Sequence, residues 1–490
     1  MPHNLLQAPV RWLTLGALLL AGLAPVGCST TTSTDSTSTK AREQTRTISE
    51  AEALADFDAA WQLVYDTHFD TTFNGVDWEG VRDELRPAAA DAHNRNELRM
   101  ILQDMLSRLN QSHFGIIPAD AAEPDQHAGA DSSHENTDSG ETTVSSTDAV
   151  VPNGDGDGDA EPGIDLRLID GQAVVSSVRA DSPADLAGVK TGWVLKKVRD
   201  VEVAGLIDRL RETLSENELR IYSVRVINDR LQGSEGSTIA LTFLNGVDGE
   251  VPMELERVAA PGEYVKFGNL PPLSTHLEWS RESFTTETGD EVQVGIIKFN
   301  IFMIPIAPKF ERAMYELRDC DGIIIDLRGN PGGVGALSSS ISRFIMSEKG
   351  SLGTMKMRGA ELSFNVEPVV VTTWGEPLKP FTGPVAIVQD AGSASTSEVF
   401  AGGLQSLGRV KVFGTRSAGM ALPAAMDKLP SGDVLLHAIA DFVTTTGARM
   451  EHDGVIPDVE VKQTREALLK GIDAPEQAAK DWIASESSAR

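Results

Sequence analysis

A run of small and hydroxyl-bearing side chains follows an apolar strand in the last third of the chain. The strand is formed by residues 383–388, and residues 389–403 read QDAGSASTSEVFAGG. The apolar positions after the serines have helical spacing, and Gly408 can end that helix. A hydroxyl at a helix N-terminus lies among unpaired backbone N–H groups and near the positive end of the helix dipole, which stabilise a nucleophile and the oxyanion it generates. The pattern therefore predicts a nucleophilic serine at this turn.

A second apolar strand runs into a glycine-rich turn. Residues 322–327 read GIIIDL and residues 328–333 read RGNPGG. Backbone amides in such a turn can approach a substrate carbonyl without interference from side chains. Taken alone, the same pattern also fits an ordinary connection between a strand and a helix. Strands and helices alternate throughout this part of the chain, which predicts an α/β layer with a partly parallel sheet.

The N-terminus has the layout of an export signal. A positive charge at Arg11 precedes an apolar run over residues 12–23 and then Cys28. A cysteine at this place resembles a bacterial lipoprotein site, in which the thiol carries the lipid. Ser29 follows it, and the absence of Asp there favours the periplasmic side of the outer membrane. The alternatives are a plain secretory signal, with a soluble periplasmic or secreted product, or a short membrane anchor.

Composition and periodicity divide the chain into seven segments. We expect a signal (1–28), a Ser/Thr-rich tether (29–47), a helical N-terminal domain (48–119) and an acidic linker (120–162). A β-rich domain (163–257), an α/β core (258–465) and a C-terminal tail (466–490) follow. The linker holds twelve acidic residues between 120 and 161 and no Lys or Arg. Its Asp-Gly repeats suggest a calcium loop, but no Glu stands at the twelfth loop position, so a solvated linker is favoured.

The β-rich domain resembles a PDZ domain. The stretch that carries this resemblance is SPADLAGVKTGWVL, residues 182–195. PDZ domains bind the C-termini of peptides by adding a strand to an exposed sheet edge. Trp193 replaces the Asp that usually follows the glycine of this stretch, a departure that argues against ordinary ligand binding.

Three motifs in order resemble the C-terminal processing peptidases, a serine peptidase family that includes the tricorn core protease and the interphotoreceptor retinoid-binding proteins. The motifs are IIIDLRGNPGG, GSASTSE and EHDGVIPDVEV, over residues 323–333, 392–398 and 451–461. The resemblance spans residues 48–465. It implies a core related to ClpP and the crotonases, and peptidase activity on proteins or peptides.

The resemblance also assigns roles to residues at the two turns. Ser395 would be the nucleophile, and the backbone N–H of Thr396 with that of Gly332 or Gly333 would bind the oxyanion. The neighbouring hydroxyls of Ser393 and Ser397 are expected to cap the helix or to shape the turn.

The general base is where the chain departs from part of the family. In members with a serine–lysine dyad, the lysine stands where this chain has Met420, and a thioether cannot accept the serine proton. A dyad would therefore require Lys411 or Lys428 to approach Ser395.

The tricorn branch takes its base from an N-terminal Ser-His pair, and this chain carries one. The resemblance implies His113 as general base and acid, Ser112 as the residue that orients it, and Glu451 as the acid that completes the tetrad. Near neutral pH an imidazole can accept and return a proton. The competing interpretations are that His113 is a surface or helix-capping residue, or that His452 is the base.

Charge and motif content exclude several other functions. The net charge of −29 argues against a nucleic-acid partner. No spacing typical of a zinc site or a phosphate-binding loop occurs, so no cofactor is expected. The remaining alternatives to a peptidase are a noncatalytic protein that binds apolar ligands or peptides on the same scaffold, and a PDZ-based adaptor.

Overall fold

The computed structural model describes residues 47–119, 158, 160–212, 214, 216–266, 273–286 and 289–488. The predicted signal with Cys28, the tether up to residue 46 and nearly all of the acidic linker lie outside the described residues. The described residues belong to one compact unit, residues 46–490. None of the described helices is both long enough and apolar enough to cross a membrane.

The N-terminal domain consists of helices packed around tryptophan and leucine side chains. Its elements are α1 (Glu50–Thr67), α2 (Trp78–Ala90), α3 (Arg95–Ser107) and the strand β1 (Gly115–Ile117). The first helix begins with a capping box: Glu52 N–H donates to Ser49 Oγ over 3.3 Å, and Ser49 N–H donates to Glu52 Oε2 over 2.9 Å. The indole of Trp61 donates to the carbonyl of Trp78 over 2.9 Å, which ties α1 to α2.

The middle domain, residues 160–258, is an antiparallel sheet with helices on it. Its elements are β2 (Ile164–Ile169), β3 (Gln172–Val178), α4 (Pro183–Leu186), β4 (Val194–Val198), β5 (Val201–Glu202), α5 (Val203–Arg211), α6 (Glu216–Leu231), β6 (Thr238–Leu244) and β7 (Glu250–Glu256). The strand order is β2-β3-β4-β6-β7, with β5 pairing β4. The strand β2 therefore lies at one edge of the sheet.

The core layer is a six-stranded sheet with helices on both faces. After the hairpin β8 (Glu263–Val265) and β9 (Leu273–Thr275), its elements are β10 (Leu277–Thr285), β11 (Glu291–Phe299), α7 (Ile306–Glu316), β12 (Gly322–Asp326), α8 (Ala336–Ser342), β13 (Gly350–Met357), β14 (Ala360–Val366), β15 (Val385–Gln389), α9 (Thr396–Ser406) and β16 (Lys411–Gly414). They are followed by β17 (Ala424–Lys428), β18 (Val434–Ala438), β19 (Ala440–Thr444), β20 (Val459–Glu460), α10 (Arg465–Leu469) and α11 (Ala474–Ser488). The sheet order is β10-β11-β12-β15-β16-β20, and every pair except β10–β11 is parallel. Both predicted turns follow central strands, β12 and β15, whose residues are all buried.

The C-terminal segment, expected to be a tail, forms a helix that packs on the core. The last helix, α11, packs its Ala479 and Ile483 against Ile324 and Val388 of the sheet in a buried apolar cluster. A Cβ at Gly322 would come within 2.3 Å of the Ile483 side chain, so the strand and the helix are in close contact. The segment is therefore one of the layers of the core, because without it this face of the sheet would be left in water. The second cysteine of the chain, Cys320, is buried, and burial raises the pKa of its thiol.

A small sheet joins the N-terminal domain to the core. Strand β1 pairs with β18, and β18 pairs with β17 in the order β1-β18-β17. At the turn between β17 and β18, Arg99 of α3 forms two hydrogen bonds with the buried carboxylate of Asp433, over 2.7 and 2.8 Å. Because β1 begins two residues after His113, this docking sets where the Ser-His pair meets the core.

The middle domain contacts the core beside both predicted turns. Arg167 of β2 donates to Asp390 Oδ2 over 2.8 Å and to the carbonyl of Arg328 over 3.2 Å. The other oxygen of Asp390 accepts from the N–H groups of Gly329 and Gly392, over 2.9 and 2.8 Å. One ion pair therefore connects the middle domain to the segments that precede the oxyanion turn and the nucleophile.

Candidate active site

Ser395 occupies a strained turn between a buried strand and a helix. It is the N-cap of α9, and its backbone has φ 54° and ψ −116°, a conformation that side-chain-bearing residues rarely adopt. Its N–H is shared between the carbonyl of Met420 at 2.9 Å and Glu398 Oε2 at 3.0 Å. These bonds hold the turn in a conformation that leaves Ser395 partly exposed to a cavity.

The neighbouring serines are buried and have structural partners. Ser393 Oγ donates to the carbonyl of Leu327 over 2.7 Å. Ser397 Oγ lies 2.9 Å from the carbonyl oxygen of Asn330 and 3.0 Å from its Oδ1. Both hydroxyls tie the nucleophile turn to the glycine-rich turn, and neither lines the cavity, whereas Ser395 does.

Glu398, which none of the predicted roles includes, supports the turn at Ser395. Its buried carboxyl group accepts four hydrogen bonds, from Ser417 Oγ and from the N–H groups of Gly419, Met420 and Ser395, over 2.6, 2.8, 3.0 and 3.0 Å. Burial raises the pKa of Glu398 to about 7, while these donors lower it. The signal was present in the sequence, because Ser395 and Glu398 have the spacing of a capping box.

The glycine-rich turn presents its backbone to Ser395. A Cβ at Gly332 would lie 2.7 Å from both Ser395 Cβ and Thr396 N, and a Cβ at Gly333 would lie 2.3 Å from the carbonyl oxygen of Phe302. Their φ values are 96° and 133°. Close approach and positive φ both require glycine here.

The structure distinguishes between the two glycines as oxyanion donors. The N–H of Gly332 donates to Asn330 Oδ1 over 3.0 Å and is therefore already engaged. Among the described residues, no acceptor is found for the N–H of Gly333 or for that of Thr396. Thr396 Oγ1 donates to the carbonyl of Gly333 over 2.8 Å and keeps the two segments together. Thr396 and Gly333 are the pair that can bind an oxyanion.

The Ser-His pair meets Glu451 from the far end of the chain. Glu451 Oε1 accepts from Ser112 N–H over 2.7 Å, and its Oε2 accepts from Ser112 Oγ over 2.9 Å and from Ala421 N–H over 3.1 Å. Ser112 Oγ also lies 2.8 Å from His113 Nδ1. Three of the predicted residues thus form a continuous hydrogen-bonded chain.

This chain determines which nitrogen of His113 is available as a base. The Ser112 hydroxyl has one proton, and the carboxylate of Glu451 can only accept it. Ser112 Oγ must then accept from His113 Nδ1–H, which leaves the lone pair on Nε2. Burial lowers the pKa of His113 to about 4, so the ring is neutral at pH 7.

Ser395 and His113 line one large cavity between the core, the N-terminal domain and the middle domain, with a volume of about 1850 Å³. Gly332 and Gly333 also line it, together with Asp165 and residues 167–171 of the middle domain. In the described part of the chain, no hydrogen bond joins Ser395 Oγ to the imidazole of His113. The structure therefore brings both groups to the same cavity without direct contact.

The other candidate bases lie elsewhere. Lys411 Nζ lies 5.4 Å from the centre of the Trp482 ring. Trp482 belongs to α11, the helix that covers one face of the six-stranded sheet. Lys428 and His452 are exposed, and neither lines the cavity. The described residues include no cluster of three or more His, Cys, Asp or Glu side chains that could hold a metal ion.

Comparison with known proteins gives an independent result. The profile of peptidase family S41 matches residues 293–461, and that of the tricorn protease C1 domain matches residues 49–107. Residues 293–461 of the chain are therefore a peptidase family S41 domain. The S41 match includes both turns and Glu451, and the C1 match ends a few residues before the Ser-His pair.

Relatives and solved structures agree with this assignment. The chain is 24% identical over 408 residues to a carboxyl-terminal-processing protease of Synechocystis, covering 82% of this chain and 80% of that protein. It is also 24% identical over 408 residues to the chloroplastic carboxyl-terminal-processing peptidase 3 of Arabidopsis thaliana, covering 82% and 67%. The fold is similar to that of a photosystem II D1 C-terminal processing protease, with a TM-score of 0.51, 19% identity, and coverage of 86% of this chain and 98% of that chain.

These findings confirm the family predicted from the three motifs, the α/β fold class and the assignment as a serine peptidase. The roles of Ser395, His113, Ser112, Glu451, Thr396 and Gly333 stay predictions, supported by the contacts described above.

Proposed function

We propose that this S41 peptidase cleaves peptide bonds with Ser395 as nucleophile and His113 as general base. The observation that carries the proposal is the hydrogen-bonded chain from Glu451 through Ser112 to His113 Nδ1. It leaves Nε2 unprotonated in a ring that lines the same cavity as Ser395.

In the proposed reaction, Ser395 Oγ attacks the scissile carbonyl carbon while His113 Nε2 accepts the hydroxyl proton. The negative charge that develops on the carbonyl oxygen is stabilised by the N–H groups of Thr396 and Gly333. When the tetrahedral intermediate collapses, the C–N bond breaks and the imidazolium protonates the departing amine. Water then attacks the acyl-enzyme with the same proton relay, releasing the acid product and restoring Ser395.

The proton transfer requires Ser395 and His113 to come closer than they are in this structure, or to share a bridging water. Hydrogen bonds of a catalytic site are often long without substrate and shorten in the reacting complex. Ser112 is bonded to Glu451 through both its N–H and its hydroxyl, so the residue that holds His113 Nδ1 is itself fixed to the core.

The substrate class that fits is an extended polypeptide segment. The cavity is large enough for several residues, and the edge strand β2 borders it through Asp165 and residues 167–169. An edge strand offers unpaired backbone groups to an added strand, so we propose that the middle domain holds the C-terminal part of the substrate in the manner of a PDZ domain. If Cys28 is lipidated, the enzyme acts on proteins of the periplasm or cell envelope.

A fluorophosphonate probe tests the proposal, because it reacts with activated serines. We expect labelling of the wild-type chain at Ser395, identified by mass spectrometry of the labelled peptide. Labelling should be lost in Ser395→Ala and retained in Ser406→Ala, a control that removes a hydroxyl from the far end of the same helix. Wild-type protein that remains unlabelled across the pH range would instead support a noncatalytic binding protein.

A further inference from the structure

A second histidine of the N-terminal domain contacts the residues on either side of the Ser-His pair. His68 follows the last residue of α1 as its C-cap, and its side chain is completely buried. It does not line the cavity, and among the described residues its hydrogen bonds go to Asp70 and Gln111 rather than to the proposed catalytic groups. A fully buried histidine needs partners for both ring nitrogens, since an unpaired polar group in the interior is costly.

Both ring nitrogens of His68 are engaged. Nε2 lies 2.8 Å from Oε1 of Gln111, the residue before Ser112. Nδ1 lies 2.7 Å from the carbonyl oxygen of Asp70 and 3.2 Å from its N–H. The amide of Gln111 and the backbone of Asp70 can each donate or accept, so the ring is held in either tautomer.

The same ring supports the other side of the pair. His68 stacks on Phe114, the residue after His113, with ring centres 5.9 Å apart and planes inclined by 18°. Phe73 packs against His68 as well, with centres 5.5 Å apart. One imidazole thus contacts both residues that flank Ser112 and His113.

Ser112 and His113, which lie between Gln111 and Phe114, depend on these contacts with His68. His113 has φ 61°, in the left-handed region that costs energy for a residue with a side chain. Its only side-chain hydrogen bond within the described residues is the one to Ser112. The position of Nε2 therefore depends on the backbone on either side of His113, and His68 holds that backbone.

We propose that His68 is a positioning residue, which holds residues 111–114 so that His113 Nε2 faces Ser395. The inference rests on the proposed function. It predicts that loss of the contact between His68 and Gln111 slows proton transfer while the substrate site stays intact, since a misplaced catalytic group lowers the reaction rate even when binding is unchanged.

The test uses the full chain and the kinetics of labelling by the fluorophosphonate. His68→Phe keeps an aromatic ring but removes the hydrogen bond, and Gln111→Leu removes the same bond from the partly exposed partner. The matched control is His93→Ala, an exposed histidine of the same domain whose side chain has no hydrogen bond or ion pair among the described residues. We expect the limiting rate constant to fall about tenfold in each of the two variants, with the half-saturating probe concentration within about twofold of the wild type and of His93→Ala.

The double variant separates positioning from damage to the fold. If both residues act through one contact, His68→Phe with Gln111→Leu should lose no more than the larger single loss, so the effects are not additive. Additive losses, a rate unchanged from His93→Ala, or losses that follow the melting temperature would each overturn the inference. Failure of the wild-type chain to label would instead overturn the proposed function, so the two failures are distinguishable.

Discussion

The two halves of the proposed site are built in different ways. The nucleophile turn is local: Ser395 and Thr396 lie in one short run, and their partners in residues 330–333 follow the neighbouring strand of one parallel sheet. The base is assembled from distant segments, since 339 positions separate Ser112 from Glu451. The first half depends on strand and turn geometry, whereas the second depends on how the N-terminal domain docks on the core. Variants of the two halves should therefore fail in different ways.

The largest effect is expected from removal of the base. His113→Ala should slow cleavage of a fluorescently labelled denatured protein by about 10³-fold, since general base catalysis by a side chain contributes about 10²- to 10⁴-fold. The melting temperature should stay close to that of the wild type, because a partly exposed side chain is removed. His452→Ala is the matched control and should retain wild-type rates. Equal losses in both variants would contradict the assignment.

Glu398→Gln tests the nucleophile turn, the local half of the proposed site. A carboxyl group that accepts four hydrogen bonds is replaced by an amide whose NH₂ would face N–H donors, so the turn at Ser395 loses its support. We expect labelling of Ser395 to slow by about 10²-fold, with a lower melting temperature, since an unsatisfied buried polar group costs about 1–3 kcal/mol.

The control for Glu398→Gln is Glu361→Gln, at an exposed position of β14, which should change neither quantity. Unchanged labelling in Glu398→Gln would show that the carboxyl group is not needed at this turn.

Asp433→Asn tests the docking on which the base depends. The Arg99–Asp433 pair is nearly inaccessible, with 16% and 4% of the side chains exposed. Loss of one partner of a buried pair destabilises a protein by about 3–5 kcal/mol, so chemical denaturation should show a clear decrease in stability.

Activity should also fall in Asp433→Asn, by about tenfold, because β1 positions the Ser-His pair. The control is Lys349→Ala, which breaks the exposed Lys349–Glu367 pair and should cost at most about 0.5 kcal/mol. A stability loss without any loss of activity would mean that the base segment is held independently of this pair.

The smallest effect is expected from pH near neutrality. The neutral imidazole is the base, and burial lowers the pKa of His113 to about 4, so the ring is already deprotonated at pH 6. The labelling rate of Ser395 should change little between pH 6 and 8, whereas an ordinary histidine with a pKa of about 6.5 would give an increase of about fourfold. The rate should decrease as the pH falls towards 4, with circular dichroism to show that the fold persists.

The sequence predicted the local half well and the assembled half only through resemblance. The strand, glycine turn and serine helix are each written in a few adjacent residues, so β12, β15 and α9 could be predicted from periodicity. The choice between Gly332 and Gly333 could not, because it depends on the direction of one side-chain amide, that of Asn330.

Other features depend on tertiary contacts that periodicity does not encode. The helix α11 is short of strong apolar patterning, and its role follows from the exposed sheet face it covers. The pairing of β1 with β18 joins segments more than 300 residues apart, and the fixed place of His113 results from it. The contact between His68 and Gln111 likewise joins two loops that no local pattern connects.

Rescue of His113→Ala by free imidazole tests the central claim most directly. If His113 supplies the base, removal of its ring leaves room in the cavity that Ser395 lines, and free imidazole can enter there. Added imidazole should then restore fluorophosphonate labelling of Ser395 in His113→Ala, saturably and without effect on the wild type or on Ser395→Ala. Labelling that proceeds at the wild-type rate in His113→Ala without imidazole, and is lost in Lys411→Ala or Lys428→Ala, would contradict the account.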